Sequence, residues 1–422
     1  MGQPYYVPGY CVTDRMIEVP LDWADDSSEP IQLFWREVCD PQRRDEELPL
    51  LLFLQGGPGG KGPRPMPGEG FLPEAVKHFR VLLPDQRGTG RSTPSTRDRV
   101  DAGYLSCFLA DSIIRDFERL RNDCYGCAKW ATLGQSYGGF LTLAYLSAFP
   151  QALSACYVAG GIPGVPPVAD DVYRHTYPRA KRKSEQFYQR YPQDVALAGE
   201  IADLISAGGV ALPNQDVLSV PRFQSLGMDL GMKRGAERLH WLLDEAFSTP
   251  GRLSATFLHQ LFARTSSADD PLFWTLQEFI YGSESNGPIN WAAERELANH
   301  PEFAPDARPL LFTGEHTFRW RFDEVAELRG YRQGVEELMR RVSWPKIYDP
   351  EQLARNEVPV QCVMYYDDLY VDVDIQQATL RRLGNAGYWV TNEYEHDGLA
   401  SGKVFGELYR MLAERGGPLL GR

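Results

Sequence analysis

Gly134-Gln135-Ser136-Tyr137-Gly138-Gly139 is the segment that most narrows what this chain can fold into. Ala128-Lys129-Trp130-Ala131-Thr132-Leu133 before it reads as a buried strand, and Phe140-Leu141-Thr142-Leu143-Ala144-Tyr145-Leu146 after it as a helix packed on a sheet. A serine between small residues on a tight strand-to-helix turn is a nucleophile elbow. Glycines remove the side chains that would clash where the turn folds back. The hydroxyl then stands at the top of the sheet, beside the positive end of the helix dipole.

The rest of the chain supplies a sheet for that elbow. Met16–Leu21 and Ile31–Val38 alternate as half-exposed strands do. Leu48–Leu54 and Phe79–Pro84 are continuous apolar runs, as in strands buried on both faces. Ile113, Ile114, Phe117 and Leu120 fall at helical spacing between Asp111 and Asn122, and Leu153–Ala159 is the strand after the elbow helix. Strands alternating with helices predict an α/β fold, a mostly parallel sheet with helices on both faces. From about Gly164 to Arg355 helical patterns and aromatics dominate, as in Ala236–Phe247 and Phe273–Tyr281. The sheet pattern returns at Val360–Tyr366, followed by a helix near Ile375–Leu383, a strand at Tyr388–Thr391 and a last helix over Val404–Ala413. The expected organisation is a catalytic domain of residues 1–163 and 356–422, interrupted by a mainly helical cap of residues 164–355.

At 422 residues the chain suits a large catalytic domain carrying an insertion. A net charge of −13 argues against a nucleic-acid or anionic-membrane partner. No basic stretch followed by an apolar run opens the chain, and the apolar runs are strand-sized, so no signal peptide and no membrane span is expected. Seven cysteines without disulfide-framework spacing fit a reducing cytoplasm. Cys124-Tyr125-Gly126-Cys127 lacks the second pair that would complete a zinc site and reads as structural or incidental.

A serine nucleophile needs a base, and the base needs an orienter. In a sheet with this elbow the acid follows a late strand and the histidine comes last. His396, in Glu393-Tyr394-Glu395-His396-Asp397-Gly398, stands in that place. Asp367 and Asp368 both follow the Val360–Tyr366 run; Asp368, leading into Leu369-Tyr370-Val371, is preferred. Asp372 and Asp374 read as solvated or helix-capping. The oxyanion needs main-chain N–H donors. Tyr137 supplies one, and Gly57, in Gln55-Gly56-Gly57-Pro58-Gly59-Gly60, the other. That loop has no Gly-Lys-Ser/Thr ending and is no phosphate loop. Asp85-Gln86-Arg87-Gly88-Thr89-Gly90-Arg91-Ser92 reads as a buttress for neighbouring loops. Neither a metal nor an organic cofactor is required.

These segments together resemble the proline iminopeptidases, serine peptidases of the α/β-hydrolase fold, in their larger form. Gly56-Gly57-Pro58-Gly59-Gly60, Asp85-Gln86-Arg87-Gly88-Thr89-Gly90, the Ser136 elbow, and Asp368 with His396 carry the resemblance. It extends through Arg222–Gly227, Glu237–His240, Asn290–Arg295 and Val390–His396, most of the chain. Gln55 departs from the pattern, which usually has histidine before Gly-Gly-Pro-Gly. The resemblance implies release of an N-terminal residue, preferably proline, from a peptide or small amide with a free N-terminus. It also implies carboxylates in the insertion that bind the substrate ammonium, with Glu278 the first candidate and Glu315 the second; Phe273, Trp274 and Tyr281 are either pocket or core. The competing readings are an esterase or amidase of the same fold and a non-catalytic binding protein. Relatives with an aspartate nucleophile, such as haloalkane dehalogenases, are disfavoured by Ser136.

Overall fold

The computed structural model describes residues 2–96, 100–284 and 286–418. The chain opens with β1 (Tyr5–Val7), β2 (Tyr10–Pro20) and β3 (Pro30–Cys39), and continues through β4 (Leu50–Leu54), β5 (Arg80–Pro84), β6 (Trp130–Gln135) and β7 (Leu153–Ala159). A small hairpin follows much later, β8 (Phe247–Thr249) with β9 (Arg252–Leu253), and then β10 (Val360–Tyr365) and β11 (Ala386–Thr391). Among the described residues nine strands form one sheet in the order β1-β2-β3-β5-β4-β6-β7-β10-β11. The first three strands are antiparallel additions, and every pair from β5 to β11 is parallel.

Parallel strands need crossover connections, and here these are helices on both faces. Strand alternation divides the core accordingly. In β4, Leu52 and Leu54 join one apolar cluster, while Leu51 and Phe53 join the other. The elbow helix, Tyr137–Ala148, is apolar all round and buried along nearly its whole length, as a helix enclosed in a large core must be.

Between β7 and β10 the chain is mainly helical, from the helix Ala169–Arg190 to the helix Pro350–Ala354. Its apolar residues, among them Tyr173, Phe223, Phe312 and Leu328, belong to the same cluster as Leu54 and Phe140. The insertion therefore shares a core with one side of the sheet.

Two helices expected from the sequence stop early. Gly235–Asp244 ends before Phe247, which enters β8. The pattern over Phe273–Tyr281 splits into a helix at Leu272–Leu276 and a 3-10 turn at Phe279–Tyr281, with Glu278 at the joint. No helix among the described residues is long and apolar enough to cross a membrane.

Candidate active site

Ser136 lies between β6 and the elbow helix with φ 54° and ψ −125°. A non-glycine residue held there stores about 1–3 kcal/mol of strain, tolerated where the surroundings fix it. They do. Ser136 N–H donates to Ala159 O at 3.0 Å, and Gly139 N–H donates to Ser136 O at 2.8 Å. A Cβ on Gly138 would stand 1.8 Å from Leu54 O, and one on Gly134 would stand 2.3 Å from Gly138 O. Only glycine fits either position, which is the steric content of the motif.

The last two strands of the sheet, beyond β7, place the candidate acid and base. Asp368 follows β10, and His396 follows β11. A hydrogen bond of 2.8 Å joins His396 Nδ1 to Asp368 Oδ2. The other Asp368 oxygen accepts from Tyr370 N–H at 2.9 Å and Val371 N–H at 3.1 Å, so the carboxylate is fully buried yet satisfied. Asp367, by contrast, is partly exposed. Burial disfavours the imidazolium of His396, but the Asp368 charge and hydrogen bond, with Glu315 and Asp397 adding to them, raise its pKa overall. The His396 N–H donates to Gly231 O at 3.1 Å, which ties the loop to the insertion. Among the described residues no hydrogen bond yet joins the imidazole to the Ser136 hydroxyl; such bonds are often long before substrate binds and tighten in the complex.

The glycine loop after β4 closes on the elbow. A Cβ on Gly56 would lie 3.1 Å from Ser136 Cβ and 3.7 Å from its Oγ. Gly57 has φ 126°, a conformation glycine alone adopts freely. Tyr137 is the first residue of its helix, so its N–H lacks an intrahelical acceptor. Gln86 Nε2 donates to Gln55 O at 2.8 Å, and buried Asp85 holds Arg64 through two bonds of 2.6 and 3.0 Å and accepts from Gly62 and Arg91 N–H. Arg87 clamps Asp116 at 2.7 and 2.6 Å and bonds the carbonyls of Pro20, Leu21 and Cys107. This segment is a scaffold, as its sequence suggested.

The insertion meets the loop directly. The Gly59 Cβ position would be 2.6 Å from Leu272 Cβ, and Lys61 Nζ bonds Asp269 at 2.6 Å. Phe273, next to Leu272, is half-buried, whereas Trp274 lies under the Arg321 guanidinium at 3.5 Å. Trp274 is thus engaged by a cation in the insertion core.

Glu278 and Glu315 occupy different surroundings. Glu278 is 1% exposed, and its two oxygens accept from Ala292 and Ala293 N–H at 2.9 Å each. Positive φ at Asn290 (50°) and Trp291 (56°) turns those amides toward it. Burial pushes the Glu278 carboxyl up to about 7 against the pull of the two amides and Arg295. Glu315 keeps some exposed surface, but its carboxyl is enclosed. Burial, with Asp368 adding to it, pushes that carboxyl up to about 8, opposed by His396 and Gln277.

Tyr173 and Tyr281 feel both carboxylates, and burial together with those charges raises both phenols. Their rings lie 6.3 Å apart, and Tyr281 is 6.1 Å from Phe140 on the elbow helix. A row of aromatic rings therefore starts at Phe140 on the elbow helix and continues through Tyr281 to Tyr173, both of whose phenols feel the two acids. Sequence reasoning missed Tyr173, which sits in an ordinary helical pattern, and Gln277, whose position beside Glu278 was the available signal. Among the described residues no three His, Cys, Asp or Glu side chains converge as metal ligands. Asp372 caps the helix Val373–Leu380 and pairs with Arg179 at 2.6 Å.

A parallel sheet with a strained serine elbow, an acid after its penultimate strand and a histidine after its last defines the class, an α/β-hydrolase fold. Residues 49–204 match the family model described as alpha/beta hydrolase fold. The chain is 42% identical over 406 residues to a proline iminopeptidase of Aeromonas sobria, covering 94% of each. It is 32% identical over 431 residues to a proline iminopeptidase of Aspergillus aculeatus, covering 97% of this chain and 95% of that one. A shorter stretch of 133 residues is 32% identical to a proline iminopeptidase of Neisseria meningitidis, 32% of this chain and 37% of the other. The chain belongs to the proline iminopeptidase family.

Proposed function

We propose that this chain is a serine aminopeptidase that releases an N-terminal residue, preferably proline, from a peptide or small amide. The observation that carries the reading is the pair of buried carboxyls, Glu278 and Glu315, the second within electrostatic reach of His396 and Asp368. A hydrolytic centre with anionic groups beside it suits an amide whose acyl side bears an ammonium. Kinship with the Aeromonas and Aspergillus proline iminopeptidases supports the preference for proline.

In this reading the substrate ammonium binds between Glu278 and Glu315, and the pyrrolidine ring packs on Tyr173, Tyr281 and Phe140. That anchoring places the first carbonyl over Ser136 and sets the cut one residue from the end. Ser136 Oγ attacks the carbonyl carbon as His396 takes its proton, and Asp368 stabilises the imidazolium. The N–H groups of Gly57 and Tyr137 hold the oxyanion. Collapse breaks the C–N bond, and His396 returns the proton to the leaving amine. Water, deprotonated by His396, then attacks the acyl-enzyme and frees the amino acid and Ser136.

We assign residues 164–355 to a cap that forms the recognition half of the site, and residues 1–163 with 356–422 to the catalytic half. The assigned compartment is the cytoplasm, a reading supported by seven free cysteines.

The test compares prolyl arylamide, its N-blocked form and a simple acyl ester. Hydrolysis of the free-amine substrate alone, abolished in Ser136→Ala, is the expected result. Dominant ester hydrolysis indifferent to a free amine would replace the proposal with the esterase reading.

A further inference from the structure

A buried guanidinium is costly unless an acid meets it. Most of the buried arginines of this chain have one. Arg87 grips Asp116 along one edge of its guanidinium, with Nε at 2.7 Å and Nη2 at 2.6 Å. Arg121 holds Glu118 by the same edge, at 2.7 and 2.8 Å. Arg179 Nε donates to Asp372 at 2.6 Å, and Arg222 Nη1 donates to Asp216 at 3.2 Å.

Arg321 differs. It is 1% exposed, and its Nε and Nη2 are buried with no hydrogen-bond partner among the described residues. Those two nitrogens form the edge that Arg87 and Arg121 use. The guanidinium carbon lies 3.5 Å from the Trp274 ring and 4.6 Å from the Trp320 ring. Such contacts offset part of the charge but give the edge no acceptor. Burial, with the charge of Arg222 adding to it, drives the Arg321 pKa well below its ordinary value. Glu324 pulls the other way, but its Oε2 accepts from Ser219 Oγ at 2.6 Å, and among the described residues it forms no ion pair with Arg321. Asp216 is already shared by Arg222, Arg329 and the Ala326 N–H. Trp320 is partly exposed, so the guanidinium lies one indole away from the surface.

We propose that the Nε–Nη2 edge of Arg321 is a binding site for a carboxylate that comes from outside the chain. A carboxylate meets this edge with two parallel N–H···O bonds, as Asp116 and Glu118 meet Arg87 and Arg121. A water molecule would occupy the space but leave the charge unmet. The segments that carry Trp274 and Arg321 also carry Glu278 and Glu315, and the Arg321 charge reaches His316, next to Glu315. The carboxylate site therefore lies beside the two acids. Its ligand is either a free small carboxylate or the C-terminal carboxylate of a short peptide.

Thermal melts of the full chain test this, at fixed pH and ionic strength, with sodium acetate replacing sodium fluoride. Acetate is expected to raise the wild-type melting temperature saturably, by about 1–2 °C at ten times its dissociation constant. Arg321→Met should abolish the rise. Arg321→Lys, which keeps the charge but loses the fork, should weaken acetate binding about tenfold. A wild type indifferent to acetate, or a rise that Arg321→Met shares, overturns the proposal. Should Arg321→Met fail to fold, Arg321→Lys decides: an acetate response equal to that of the wild type overturns it as well. Hydrolysis of prolyl-alanine beside prolyl-alaninamide then separates the two sources. A lower KM for the free acid in the wild type, lost in Arg321→Lys, assigns the site to a peptide C-terminus; equal KM values assign it to a free carboxylate. The melts do not use the proposed peptidase activity, so their failure would leave that reading standing.

Discussion

The ends of the sheet strands and the interior of the insertion hold charge in opposite ways. Asp368 and Asp85 are both fully buried, but each is surrounded by donors, main-chain N–H groups with His396 for one and with Arg64 for the other. In the insertion, burial outweighs the donors that Glu278 and Glu315 have, and both carboxyls are pushed up toward neutrality. Tyr173 Oη, Gln277 Oε1 and His316 Nδ1 of the insertion are buried with no hydrogen-bond partner among the described residues. The sheet ends are thus a finished electrostatic scaffold for a reaction. The insertion instead holds two acids against their own desolvation, the arrangement that the proposed function uses for a substrate ammonium.

The largest expected effect breaks the finished side. Asp368→Asn should cost about 10⁴-fold in kcat on prolyl arylamide, because the imidazole loses its orienter and charge partner. Asp367→Asn should change kcat less than about twofold, its carboxylate being partly exposed and outside the hydrogen bond to His396. Equal losses in the two variants would exchange their roles.

Next come the two acids, which separate binding from folding. Either Glu278→Gln or Glu315→Gln should lower kcat/KM on free-amine substrates by about 30- to 150-fold, equivalent to about 2–3 kcal/mol for a lost buried charge partner. Glu278→Gln should also lower the melting temperature, since a glutamine presents one acceptor to two amides, Ala292 and Ala293. Among the described residues no main-chain amide bonds the Glu315 carboxyl, and Glu315→Gln should leave the melting temperature near that of the wild type. Thermal melts beside steady-state kinetics check both statements.

The pH dependence sharpens the same contrast. Raised carboxyls favour the fold while protonated. The stability that Glu278 and Glu315 contribute is full below about 4.5 and is lost as pH rises through about 7 and 8. His396 is raised too, so its share is also lost with rising pH. In the proposed function activity moves the other way, because ammonium binding there needs ionised acids and catalysis needs neutral imidazole. Between pH 6 and 8, by the ionisation ranges of about 7 and 8 given above, kcat/KM should rise while the melting temperature of the free enzyme falls. A product analogue bearing a pyrrolidinium should reduce that fall.

The smallest effect concerns the seam between the two regions. Lys61→Ala removes an ion pair whose partners are 36% and 81% exposed, so at most about 1 kcal/mol is at stake. A larger loss, measured by denaturant unfolding, would mean that the insertion is anchored mainly through Asp269.

Residues whose positions depend on local chain geometry were legible in the sequence. The glycines flanking Ser136 announce a turn that admits no side chain at Gly134 or Gly138, and the place of His396 follows from strand order. Asp368 stood one residue from a rival. What sets it apart is burial and the amides of Tyr370 and Val371, neither visible in a row of letters. The Phe273–Tyr281 pattern predicts one helix, but the structure breaks it beside Glu278, whose carboxylate is held by amides 14 and 15 residues away. Tyr173 gave no sign, because its position next to the acids comes from packing a distant helix across the site.

The sequence by itself determined the alternation of strands and helices, the elbow at Ser136 and the placing of Asp368 and His396 after the last two strands. Those depend on sterics and periodicities that act over a few residues. Tertiary structure alone decided which aspartate meets the imidazole, how far burial raises Glu278 and Glu315, and that Tyr173 and Tyr281 feel both of those acids. Electrostatic environment is a property of everything packed around a group, and those neighbours are brought together only by the fold.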